Sequence, residues 1–158
     1  MSTLYPLLKL VHIVSATVLF GTGLGTAFQM WSVQRSGDVR AIAAVARQVV
    51  WADTLFTTPA VIAQPATGFA LVWLTGIDPF SSWLVAAYAL YILTGLCWLP
   101  VVFIQLRLRD LAAAAARDGT GLDARYDRLW RVWFALGWPA FAAVLVIFWL
   151  MVAKPDLW

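Results

Sequence analysis

The residues of this 158-residue chain best placed to do chemistry are a lone histidine, His12, a lysine one helical turn before it, Lys9, and an acid in an otherwise apolar run, Asp53. His12 lies where an imidazole can make an interhelical hydrogen bond, ligate a haem iron or handle a proton. Lys9 shares its helical face and can snorkel to the membrane boundary or hold a carboxylate there. Asp53 can pair with Arg47, reach the lipid headgroups, or act as a proton or ion site, since an ionisable group inside a membrane span is costly and a functional candidate by default. Further along the same segment, Gln64 and Thr67 offer neutral hydrogen bonds. The single cysteine, Cys97, excludes an internal disulfide and any multi-cysteine metal or iron–sulfur site, and reads as a small packing residue.

The elements that must position these groups are membrane helices. Charged residues are 12% of the chain and hydrophobic ones 63%, with a mean hydropathy of +0.82, whereas a soluble domain carries roughly a quarter charged residues. The charges are bunched, leaving four uncharged stretches at 10–34, 54–77, 79–106 and 132–153. Each exceeds the roughly 20 helical residues that cross a hydrocarbon core of about 30 Å. The first stretch holds His12, Ser15, Thr17 and a glycine series, so it reads as a span rather than a cleaved signal peptide. The fold class is therefore all-α: one transmembrane domain over 1–158, a four-helix bundle with spans at about 5–33, 49–75, 82–106 and 130–153. A helical hairpin at about 107–129, solvated at the lipid surface, joins the last two, turning at Asp118-Gly119-Thr120-Gly121. Asp123 is placed to cap the helix that follows, and Asp127 to pair with Arg131.

Loop charge orients the bundle. Nine of the eleven basic residues lie at Arg35, Arg40 and Arg47 or at Arg107, Arg109, Arg117, Arg125, Arg128 and Arg131, while the connection between spans two and three has none. The positive-inside rule makes the arginine-bearing connections cytoplasmic and both termini non-cytoplasmic. A pI near 9.4 then reflects topology and an anionic lipid surface, and no nucleic-acid partner is implied. Trp31, Trp51, Trp130 and Trp133 fall at the inner boundary, and Trp73, Trp83 and Trp158 at the outer one.

Within span one, Gly21 and Gly25 have the small-xxx-small spacing that permits close backbone approach, or a bare face for a cofactor. Span two carries two prolines. Pro59 and Pro65 leave the carbonyls of Leu55 and Val61 without their helical donors, so hydroxyls, amides or water must compensate, and Thr57, Thr58, Gln64 and Thr67 are close enough to take part. His12 should lie about 10 Å below the outer surface. Span two, running the other way, reaches that depth near Gln64 to Gly68, and span three near Tyr88 to Tyr91. This puts His12 level with Gln64 and Thr67 and far from Asp53.

Leu7-Leu8-Lys9-Leu10-Val11-His12-Ile13 and Phe20-Gly21-Thr22-Gly23-Leu24-Gly25, with Thr57-Thr58-Pro59, Gln64-Pro65-Ala66-Thr67-Gly68, Trp98-Leu99-Pro100 and Gly137-Trp138-Pro139, resemble an uncharacterised family of predicted bacterial integral membrane proteins, a domain of unknown function. That family is distantly similar to the CopD and HemJ membrane proteins, whose first helix has a Lys-x-x-His-type start. The HemJ likeness implies haem b and an oxidoreductase. In this chain His12 would be the axial ligand to the haem iron, Lys9 the partner of a propionate, Gly21 and Gly25 the face along the macrocycle, and Gln64 and Thr67 the support of the imidazole. A quinone or respiratory partner would take the electrons. The competing expectations are an accessory subunit of a larger membrane complex, and a small-solute or ion carrier with Asp53 as the coupling group. In every case the chain would sit in the bacterial inner membrane, as a homo-oligomer or within a larger assembly.

Overall fold

The computed structural model describes residues 3–158. Among them the chain is helical without strands: α1 (Leu4–Gln34), α2 (Val39–Ala52), a wide π-turn (Asp53–Thr57), α3 (Thr58–Thr75), α4 (Ser82–Asp118) and α5 (Ala124–Ala153). With α2, the π-turn and α3 counted as one rod, four helices are long and apolar enough to cross a membrane. At 31 residues, α1 extends about 46 Å, well beyond a hydrocarbon core of about 30 Å. The bundle is apolar on its outside: Trp73 is 89% and Val152 86% exposed, as lipid-facing positions are.

The breaks between helices have local causes. Gly76 and Gly119 take left-handed φ values of 67° and 65° just past α3 and α4, a conformation that ends a helix with little strain only for a residue lacking Cβ. Asp38 caps α2 by accepting from the backbone amides of Arg40 and Ala41, and Asp123 caps α5 through the amide of Tyr126. After α5 the chain folds back on the start of α4, where Ser82 Oγ accepts from the amide of Leu157 at 2.9 Å.

α4 packs along α5, α1 along α3, and α2 against both α4 and α1, whereas α1 and α5 touch at few points. The tightest packing, Met30, Ile42, Ala46, Val49, Leu108, Ala112, Tyr126 and Trp133, lies at the end that carries the arginine-bearing connections. Three expectations change here. The second rod begins at Val39 rather than near 49 because Ile42, Ala46 and Val49 form one apolar stripe that docks on Leu108 and Ala112 of α4. The hairpin at about 107–129 is accordingly packed, not merely solvated. Arg131 donates to the backbone carbonyl of Asp127 at 3.3 Å instead of its carboxylate, and the ion pair among the described residues is Arg109–Asp110 at 2.8 Å.

Candidate functional site

Two polar clusters lie within the bundle, toward opposite ends. The first joins α1 to α3. His12 Nδ1 is 2.8 Å from Thr67 Oγ1, and the Gln64 amide donates to the His12 carbonyl and to Ser15 Oγ, both at 2.7 Å. Gly68 lies against the ring: a Cβ there would meet His12 Cε1 at 3.4 Å, an ordinary contact. Thr67 has one hydroxyl hydrogen, and it is directed to the carbonyl of Ala63 at 2.6 Å. Thr67 must therefore accept from His12, which places the imidazole proton on Nδ1 and a lone pair on Nε2. Nε2 has no hydrogen-bond partner among the described residues.

The carbonyl freed by Pro65 is compensated from a direction the sequence did not indicate. Tyr91 of α4 donates its hydroxyl to the carbonyl of Val61 at 2.5 Å, the acceptor that Pro65 deprives of its helical donor. Ahead of Pro59 the rod widens into the π-turn, where the amide and hydroxyl of Thr58 both reach the carbonyl of Asp53.

The second cluster centres on Asp53, buried at 9% exposure. Arg47 is exposed and forms no ion pair with it, so the expected Asp53–Arg47 pair is absent; the wide turn carries the acid inward instead. Its Oδ1 accepts from Thr57 Oγ1 at 2.7 Å and its Oδ2 from the Gln105 amide at 2.5 Å. Gln105 Oε1 in turn accepts from the Trp133 indole N–H at 3.0 Å. This chain of donors crosses from α5 through α4 to the π-turn, and it fixes the orientation of the Gln105 amide.

Asp53, Thr57, Gln105 and Trp133, with Thr26 and Thr94, whose hydroxyls bond back to their own helices, form the polar part of the wall of a cavity of about 600 Å³ between α1, α4 and α5. The rest of the wall is apolar and largely aromatic, including Phe20, Trp98, Phe134 and Phe141. Leu24, Phe28, Trp138 and Leu145 also line it and are more than half exposed, so the cavity opens toward lipid between α1 and α5. Gln105 and Trp133 escaped sequence reasoning, although one signal was available. Gln105 is two residues before Arg107 and Trp133 two after Arg131, so both share the shallow depth of Asp53.

His12, Gln64 and Thr67 are thus brought together, and Asp53 is held apart from them. Lys9 is exposed, its ammonium 5.8 Å from the centre of the Tyr5 ring. Gly21 and Gly25 have nothing within 4 Å of an added Cβ; the close approach of α1 to α5 falls at Gly23, where a Cβ would lie 3.3 Å from Phe141. Nine residues at about 100° each turn Gly21 roughly half way round the helix from His12, and His12 does not line the large cavity. An imidazole nitrogen is available, but these residues do not fit a haem lying along Gly21 and Gly25, and no group of three or more metal-ligating side chains occurs among the described residues.

Neither the curated proteins nor the solved structures contain a match to the chain. Residues 6–155 do match one family, spanning both polar clusters and all the membrane-crossing helices. The chain belongs to the predicted integral membrane protein family DUF2269.

Proposed function

We propose that the protein binds an amphipathic, membrane-dissolved molecule in the cavity between α1, α4 and α5, with the polar end of that molecule at Asp53. The observation that carries this reading is the juxtaposition of an apolar cavity of about 600 Å³ with a buried carboxylate in its wall. That volume falls in the roughly 300–1,000 Å³ range of small-molecule sites, which combine apolar walls with a few placed polar groups. The exposed rim gives access from lipid without passage through water. By the positive-inside rule the Asp53 end lies in the cytoplasmic half of a bacterial cell membrane, with both termini outside. Membrane quinones are among the molecules with this architecture.

Decylubiquinone and triphenylphosphine oxide serve as probes, and quenching of the cavity tryptophans reports occupancy of the purified protein. Gly137 lines the cavity and an added Cβ there meets nothing within 4 Å, so Gly137→Leu fills the space without a clash at Cβ. Saturable quenching in the wild type that Gly137→Leu weakens by tenfold or more supports the reading. Absence of saturable quenching by these neutral probes and by tetraphenylphosphonium, or quenching unchanged in a folded Gly137→Leu protein, overturns it.

A second reading, a haem b-binding redox protein with His12 as axial ligand, is favoured by the lone pair on His12 Nε2. A Soret band in protein isolated from haem-replete cells, lost in His12→Ala, supports it. A colourless preparation removes it.

A further inference from the structure

Asp53 is the buried charged side chain among the described residues, and its environment lacks a cation. Each of its oxygens accepts a hydrogen bond from a neutral donor, Thr57 on one side and Gln105 on the other. An ionised carboxylate accepts both bonds with no hydrogen of its own to place. Gln105 cannot reverse its amide to donate less, because its carbonyl oxygen is held by Trp133. An anion in low-dielectric surroundings with only neutral donors is unfavourable, and pairing with a cation there offsets part of the lost hydration. The nearest arginine along the same rod, Arg47 of α2, is exposed.

The walls around this acid have a matching character. Phe20, Trp98, Trp133, Phe134 and Phe141 line the same cavity, and Phe20 and Phe141 meet edge to face at 5.8 Å. Aromatic faces carry partial negative charge and attract cations, most strongly where water is excluded. At the rim this chemistry is already in use, since the Arg35 guanidinium lies 4.7 Å over the ring of Trp31.

Resting on the cavity reading above, we infer that its ligand is a lipophilic cation: an onium or protonated amine head carried on an apolar or aromatic body, its charge facing Asp53 and its body against the aromatic wall. A neutral molecule of the same shape would leave the carboxylate uncompensated.

The test compares tetraphenylphosphonium with neutral triphenylphosphine oxide on purified protein, by equilibrium binding of the radiolabelled probes. The wild type should bind the phosphonium roughly tenfold or more tightly than the oxide. Asp53→Asn should erase that preference while still binding the oxide. Because Asp53→Asn also disturbs the hydrogen-bond chain, the exchange Asp53→Asn with Gln105→Glu provides a second arm: it restores complementary donors and acceptors, keeps a carboxylate in the wall, and should retain the preference. Equal or tighter binding of the oxide by the wild type overturns the cation inference and leaves the cavity reading standing, as does a phosphonium preference that survives in folded Asp53→Asn. Saturable binding of neither probe overturns both.

Discussion

At the scale of single residues, the Asp53–Gln105–Trp133 chain works because each group has one role. Trp133 can only donate, Gln105 both accepts and donates, and Asp53 accepts. Replacing Asp53 by Asn either turns an amide donor toward the Gln105 donor or, with the new amide reversed, takes away the acceptor of the Thr57 hydroxyl, and flipping Gln105 only moves the first conflict to Trp133. The expected cost is about 1–3 kcal/mol, the penalty of leaving a buried polar group unpaired, read as a lower unfolding temperature of the solubilised protein. Adding Gln105→Glu should recover most of it, because the new carboxylate accepts from both neighbours. A double variant no more stable than Asp53→Asn alone would count against the assigned donor directions. At the other cluster, Gly68→Ala should be nearly neutral, since its Cβ would meet His12 Cε1 at 3.4 Å, an ordinary contact; a large fall in unfolding temperature would show that the imidazole is more tightly held than the geometry indicates.

At the scale of helices, Pro65 and Tyr91 form a dependent pair. Tyr91→Phe should destabilise the protein by about 0.6 kcal/mol, and by up to about 1.7 kcal/mol, the range measured for hydrogen bonds between membrane helices. Pro65→Ala restores an amide donor to Val61, so in that background Tyr91→Phe should cost less. Additive losses in a double-mutant cycle would break the link. What could be read from the sequence follows from the same physics. Apolar length specified four crossing helices, and a rise of about 1.5 Å per residue acts as a ruler that put His12 level with Gln64 and Thr67. Rotation about each helix axis could not be read that way. Asp53 looked like a partner for Arg47 because the π-turn, which redirects it, has no sequence signature beyond the nearby Pro59. Tyr91 as the donor to Val61, and Gln105 as the donor to Asp53, depend on which faces of α3, the π-turn and α4 meet.

At the scale of the whole molecule, the cluster at the arginine-bearing end and the tail packed on Ser82 at the other end give the bundle two closed ends, with the cavity open along its side. The orientation of those ends can be measured directly in a Cys97→Ala background, since Cys97 is the sole native thiol. A membrane-impermeant maleimide added to intact cells should label Phe80→Cys and leave Thr120→Cys unmodified; the reverse pattern would invert the topology. The π-turn at Asp53–Thr57 also sets the angular phase between the two ends. It absorbs one residue more than a regular helix would, so deleting Leu55 closes the ladder with both halves of the rod in phase, whereas inserting a residue between Val49 and Asp53 turns one half by about 100° relative to the other. Either Asp53 swings away from Gln105, or Ile42, Ala46 and Val49 leave their places on α4. A single-codon insertion there, invisible to hydropathy and almost without effect on length, would separate chains that can keep an acid in the cavity wall from chains that cannot.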